Sequence, residues 1–128
     1  MDEIGLMAAA RKAAKKSYSP YSHFAVGAAL QCADGTVYTG ANIENASFGA
    51  TVCAERNAVF SAVLDGKKDF AALAVSATDG TGYVQAAPCG ICLQVLHEFC
   101  PPEMMIYLDG ENQEAFHLYE LLPHGFSL

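Results

Sequence analysis

Along residues 3–16 the apolar positions Ile4, Leu6, Met7, Ala10 and Ala14 recur at helical spacing and can share one face, which predicts an amphipathic helix. Ser17-Tyr18-Ser19-Pro20-Tyr21-Ser22 ends it, because serine and proline favour turns and proline disfavours helix before it. Residues 26–32 and 36–40 read as two strands joined through Ala33-Asp34-Gly35, in which Asp34 and Gly35 are turn residues that tolerate the positive φ of a tight hairpin. The polar stretch 42–49 has no period and reads as a loop. Residues 51–64 predict a second helix closed by Gly66. Residues 70–77, rich in Ala, Leu and Val, predict a buried strand, and 78–87 another loop. Pro88 opens a third helix over about 89–99, since proline suits a helix start. A strand over 104–108, a turn at Asp109-Gly110, a weaker strand over 113–117 and a short helix over 119–122 complete the chain.

A hairpin followed by alternating helices and strands implies a mixed sheet covered on both faces, a three-layer α/β/α sandwich. No repeat, low-complexity tract or linker divides residues 1–128, so a single domain is expected.

Composition adds two constraints. With 52 % apolar and only 16 % charged residues, the chain has more to bury than a small monomer hides, which points to an oligomer. Its formal net charge of −7 repels polyphosphate, so nucleic acid is not an expected partner. The densest basic group, Arg11, Lys12, Lys15 and Lys16, reads as a solvated helix face rather than a membrane-binding patch. No apolar run approaches the ~20 residues of a membrane span. Nor does a basic-then-apolar segment follow Met1-Asp2-Glu3, and a cytoplasmic setting is expected. There the five cysteines are thiols or metal ligands rather than disulfides.

Three of those cysteines form a pattern. Cys53 stands in Cys53-Ala54-Glu55, and Cys89 and Cys92 stand in Pro88-Cys89-Gly90-Ile91-Cys92, all at expected helix N-termini. Free amide N–H groups and the helix dipole favour thiolates there. A Cys-x-x-Cys on a first helical turn puts two sulfurs near one point, and a third from another helix start makes a three-thiolate site for Zn²⁺. Three protein ligands leave a position for water, whose pKa the metal lowers. Glu55, two residues after Cys53, can aim its carboxylate at that side and relay a proton. A closed structural zinc would need a fourth ligand from Cys32, Cys100 or the four histidines, none of which sits at ligand spacing with another. A redox pair or a metal-free cluster is the remaining alternative for these residues alone. Cys32 and Cys100 read as small buried apolar residues, and His23, His97, His117 and His124 as surface or hydrogen-bonded positions.

Cys53-Ala54-Glu55 with Pro88-Cys89-Gly90-Ile91-Cys92 resembles the zinc deaminase signature in its all-cysteine variant. The likeness extends through Tyr18-Ser19-Pro20-Tyr21-Ser22, the 24–30 stretch Phe-Ala-Val-Gly-Ala-Ala-Leu, Asn42-Ile43-Glu44-Asn45-Ala46-Ser47, Cys53-Ala54-Glu55-Arg56 and Leu121-Leu122-Pro123. Together these look like cytidine deaminases of the short, homotetrameric type. The resemblance implies a five-stranded mixed sheet flanked by helices and hydrolysis of cytidine or deoxycytidine to the uracil nucleoside and ammonia. It implies zinc on Cys53, Cys89 and Cys92, proton transfer by Glu55, and ribose recognition by Asn42 and Glu44. Phe24 would pack near the pyrimidine, and Phe126 would reach into a neighbouring subunit's site. A sugar without charge suits donors and acceptors such as these, whereas a phosphate would call for cations.

Three thiolates outweigh the two charges of zinc, which weakens it as a Lewis acid. Arg56 is assigned the role of drawing charge from the sulfurs by hydrogen bonding. Two positions depart from the family pattern: Leu93 stands where arginine is usual after the second cysteine, and Phe48 where tyrosine is frequent. These departures keep a modified cytosine nucleoside or nucleoside antibiotic open as substrate. A nucleic-acid editing deaminase is disfavoured by the negative charge, and a non-catalytic zinc module by Glu55 and the unpaired fourth ligand.

Overall fold

The computed structural model describes residues 1–128, and its elements follow the hydrophobic pattern closely. Helix α1 spans Glu3–Ala14; Asp2 caps it by accepting from Gly5 N at 2.8 Å. Strands β1 (Ala25–Cys32) and β2 (Val37–Ala41) form the expected hairpin, with Gly35 at φ +91° in its turn. A 3₁₀ turn at Phe48–Ala50 interrupts the expected loop, and α2 spans Ala54–Leu64. Strand β3 (Phe70–Thr78) is followed by the two-residue β4 (Tyr83–Val84), inside the stretch expected as loop. Helix α3 (Gly90–Phe99), strands β5 (Met105–Leu108) and β6 (Glu114–His117) and helix α4 (Leu118–Leu121) follow.

The sheet runs β2-β1-β3-β5-β6, with β3 and β5 parallel and the other neighbours antiparallel. Five strands make the main path as expected; β4 is a sixth that pairs Ala77 and Thr78 of β3 beyond the end of its ladder with β5.

Period-two alternation sorts the strand residues between two cores. Ala28, Leu30, Leu73, Val75, Ile106 and Leu108 face α2 and α3, while Ala29, Ala72 and Ala74 face α1. Two glycines let helices lie directly on the sheet. A Cβ on Gly27 would stand 2.0 Å from Ala10 O of α1, and one on Gly40 would stand 2.4 Å from Ala54 O and 2.6 Å from Ala58 N of α2. The close approach at Gly40 sets the height of the α2 N-terminus above the sheet, and Asn57 Nδ2 secures it by donating to Ala41 O at 2.8 Å.

Two expectations change. Ile4 is exposed, while Ala13 joins Leu6, Met7, Ala10 and Ala14 in the buried stripe, which Ile4 misses by roughly a third of a turn. Arg11 does not belong to a solvated basic face. Its Nε and Nη2 each lie 2.7 Å from a carboxylate oxygen of the fully buried Asp109, and its guanidinium stacks 4.0 Å from the Tyr83 ring centroid. No helix is long and apolar enough to cross a membrane.

Candidate active site

Helices α2 and α3 point their N-termini at one place. Cys53 and Cys89 are the cap residues, both in extended backbone conformation, and Cys92 lies in the first turn of α3. Neither cap thiol turns back onto its own helix. The three Sγ atoms lie within 4.8 Å of one another, and no fourth His, Cys, Asp or Glu joins the group. A tetrahedral zinc with Zn–S of about 2.3 Å needs sulfurs about 3.8 Å apart, so the donor set fits the ion with little movement. Cys32 and Cys100 lie in the apolar core instead, and burial pushes the Cys100 thiol up to about 12.

The thiols are not equivalent. The hydrogen bond shared with Cys92 draws the Cys53 thiol well below its ordinary range against the cost of burial, and Arg56 adds to the effect. Cys92 is pushed up by holding that same hydrogen bond and by its burial. Arg56 Nη2 stands 3.5 Å from Cys53 Sγ and donates to Thr51 O at 3.4 Å; its Nε is buried without a partner.

Glu55, only 4 % exposed, lines a cleft of about 330 Å³ beside Cys53 and Cys89. Burial raises its carboxyl to about 7; its own backbone N–H opposes the shift and the Cys53 thiolate adds to it. Such a group exchanges a proton readily near neutral pH.

The cleft also takes in Phe24, Asn42 and Glu44. Chain pairing brings them there. Ile43 and Val52 exchange backbone hydrogen bonds of 2.9 and 3.0 Å, so the 42–44 segment runs beside the residue preceding Cys53. Glu44 is held by Tyr21 N at 3.0 Å, Ser22 N at 3.1 Å and Ser22 Oγ at 2.5 Å. The Ser22 hydroxyl in particular lowers its pKa and keeps it an acceptor. Asn42 accepts from Val26 N at 2.9 Å and Ser17 Oγ at 2.5 Å, and donates to Phe24 O at 2.8 Å. Those fixed backbone partners orient its amide.

Phe126 is not in this chain's cleft. Its backbone is tied to Gln94 on α3 by bonds of 2.9 and 3.4 Å, and its ring stands 63 % exposed. Leu93 is buried in the apolar core, and Phe48 is exposed, packed edge-on to Tyr21 at 5.7 Å. Sequence reasoning passed over Ser17 and Ser22, which hold Asn42 and Glu44; the signal was their place in the turn before β1, next to residues already singled out.

A three-sulfur cluster at converging helix starts, with a buried carboxyl beside it, defines a zinc-dependent hydrolytic deaminase. Residues 2–108 match the family described as the cytidine and deoxycytidylate deaminase zinc-binding region. A cytidine deaminase of Sporosarcina psychrophila is 49 % identical over 99 % of this chain and 93 % of its own length. One from Halalkalibacterium halodurans is 46 % identical over 99 % and 96 %. The crystal structure of cytidine deaminase from Burkholderia pseudomallei superposes with a TM-score of 0.91 at 42 % identity, covering 98 % of this chain and 100 % of that one. The chain belongs to the cytidine deaminase family.

Proposed function

We propose that this cleft binds cytidine, deoxycytidine or both and that the residues around it carry out hydrolytic deamination at C4 of the pyrimidine. The observation that carries this assignment of roles is the position of Glu55: a buried carboxyl that lines the cleft beside three clustered sulfurs.

Cys53, Cys89 and Cys92 hold the zinc. When bound, zinc supplies a water with a pKa near neutrality, a nucleophile otherwise scarce at that pH. Glu55 accepts the proton of the attacking water and delivers it to ring N3. C4 becomes tetrahedral, carrying the new hydroxyl and the amino group. Glu55 then takes the proton of the new hydroxyl and passes it to the amino nitrogen; the C4–N bond breaks, ammonia leaves and the C4 carbonyl forms. Phe24 packs against the ring, and Asn42 and Glu44 read the sugar hydroxyls. Arg56 draws charge from the sulfurs.

The exposed Phe126, tethered by Gln94 and outside its own chain's cleft, supports a homotetramer in which that ring enters a neighbour's site. Leu64 and Ile91, also exposed, supply apolar surface for such an assembly. Five unpaired cysteines fit a reducing, cytoplasmic setting.

Loss of the cytidine absorbance band on adding zinc-loaded enzyme, compared across cytidine, deoxycytidine and modified cytosine nucleosides, tests the reading. Ammonia release matching that loss is expected. No turnover of any of them by protein with full zinc content would overturn it. Sedimentation of active protein as a monomer would remove the shared site, and with it the role of Phe126.

A further inference from the structure

Asn42 has little hydrogen-bonding capacity left to offer a ligand. A carboxamide has two acceptor positions on its oxygen and two N–H donors. In this fold Val26 N and the Ser17 hydroxyl fill both acceptor positions, and Phe24 O takes one donor. One N–H remains, on a residue 9 % exposed that lines the cleft. Asn42 can therefore donate to a sugar oxygen but cannot accept from one. Glu44, whose carboxylate is held ionised, can only accept.

Ser17 decides how firmly that polarity is set. Its hydroxyl lies 2.5 Å from Asn42 Oδ1 and 3.0 Å from Ser19 Oγ. The amide oxygen has no hydrogen to give, so Ser17 spends its single hydrogen on Asn42 and receives one from Ser19. A short chain thus runs from Ser19 through Ser17 to Asn42 and ends at the free N–H. Successive donors polarise one another, and an amide oxygen that accepts twice makes its own N–H a better donor. Backbone pairing holds the chain in place: Tyr18 N donates to Asn42 O at 3.0 Å, and Glu44 N to Tyr18 O at 2.8 Å.

We infer that Ser17 is a positioning residue for sugar recognition, which fixes Asn42 as an obligate donor to one ribose hydroxyl oxygen. This rests on the reading above that Asn42 contacts the sugar. The substrate feature it selects for is an oxygen acceptor facing Asn42, set against a hydroxyl donor facing Glu44.

The test compares zinc-loaded wild type, Ser17→Ala, Ser17→Thr and Asn42→Ala on cytidine, 2′-deoxycytidine and 3′-deoxycytidine. For Ser17→Ala the expected result is a KM for cytidine raised about two- to tenfold, the reach of one neutral hydrogen bond, with kcat within a factor of two. That penalty should vanish with whichever deoxy sugar lacks the oxygen Asn42 reads, and Ser17→Thr should restore the wild-type KM. A Ser17→Ala penalty equal on all three sugars, or absent, while Asn42→Ala does distinguish them, would overturn the inference alone. If Asn42→Ala also fails to distinguish the sugars, the assignment of Asn42 to the sugar falls, and the role of Ser17 with it.

Discussion

Arg56 Nη2 lies 3.5 Å from Cys53 Sγ, three residues back along the start of the same helix. An arginine cannot lose its charge at working pH, so this contact permanently withdraws electron density from one sulfur of the cluster. Its Nε, buried and unpartnered, shows that the side chain is held there at some cost in desolvation. Arg56→Ala should lower turnover about 10–100-fold at equal zinc content, the range seen when a ligand loses its supporting hydrogen bond. Steady-state kinetics normalised to bound zinc measures this. Unchanged turnover would show that the guanidinium only packs.

Glu55 presents the opposite balance: a carboxyl placed where no neighbour's donor stabilises its charge, which is unfavourable for folding and useful for chemistry. Glu55→Gln keeps the shape, removes the titratable group and relieves the fold of a buried acid. Turnover should fall by about 10²–10⁴-fold, the usual contribution of a positioned acid–base group, while the melting temperature stays level or rises. A variant that kept even a tenth of wild-type turnover would exclude Glu55 as the proton carrier.

What the sequence made legible depended on range. Cys53, Cys89 and Cys92 were readable because each sits at a helix start and two share one turn, so local geometry nearly dictates that they meet. The sheet was readable because residues 70–77 form one short apolar run, as a strand covered on both faces must, and Asp34-Gly35 marks the hairpin beside it. Arg11 was not, because its partner lies 98 residues away and a helix-face pattern cannot see across the fold. Asp109 was read as a turn residue, yet its side chain turns inward to Ser76 and Arg11. Ser17 looked like helix-ending punctuation; its bond to Asn42 exists only because residue 18 pairs alongside residue 43.

Gly40 couples the sheet to the site. Adding one methyl group there meets backbone atoms of Ala54 and Ala58, which cannot rotate away as a side chain would. The relief available is to lift the α2 N-terminus, which carries Cys53 and Glu55. Gly40→Ala should cost at least about 1–3 kcal/mol, as for overpacking in general. It should also lower zinc retention in the folded fraction. Thermal melts together with metal analysis of the purified monodisperse protein check both. A variant as stable as wild type with full zinc would mean that the helix accommodates the methyl without moving.

The buried Asp109 makes a prediction about acid. Burial alone would raise its pKa, but the Arg11 guanidinium, Ser76 Oγ at 2.7 Å, Gly110 N at 2.9 Å and Gln113 Nε2 at 3.0 Å outweigh burial and hold it far below the usual carboxylate range. A group whose pKa is depressed by folding adds stability above its unfolded value, about 3.9, and that stability drains away as pH falls below it toward the folded value. The unfolded chain takes up the proton first, so acid favours unfolding. The contribution of Asp109, read as the difference between the urea midpoints of wild type and Asp109→Asn, should therefore hold steady from pH 7 to about 5 and then shrink. Asp109→Asn removes the titration but leaves Arg11 without its carboxylate. It should lose about 3 kcal/mol at pH 7, the lower end for breaking a buried pair from one side, because Arg11 keeps some contact with solvent. Its dependence on pH below 5 should be shallower than that of wild type. If the two curves ran parallel down to pH 3, Asp109 would not be the carboxylate through which acid acts, and the Arg11 pair would matter for packing α1 against the sheet rather than for charge.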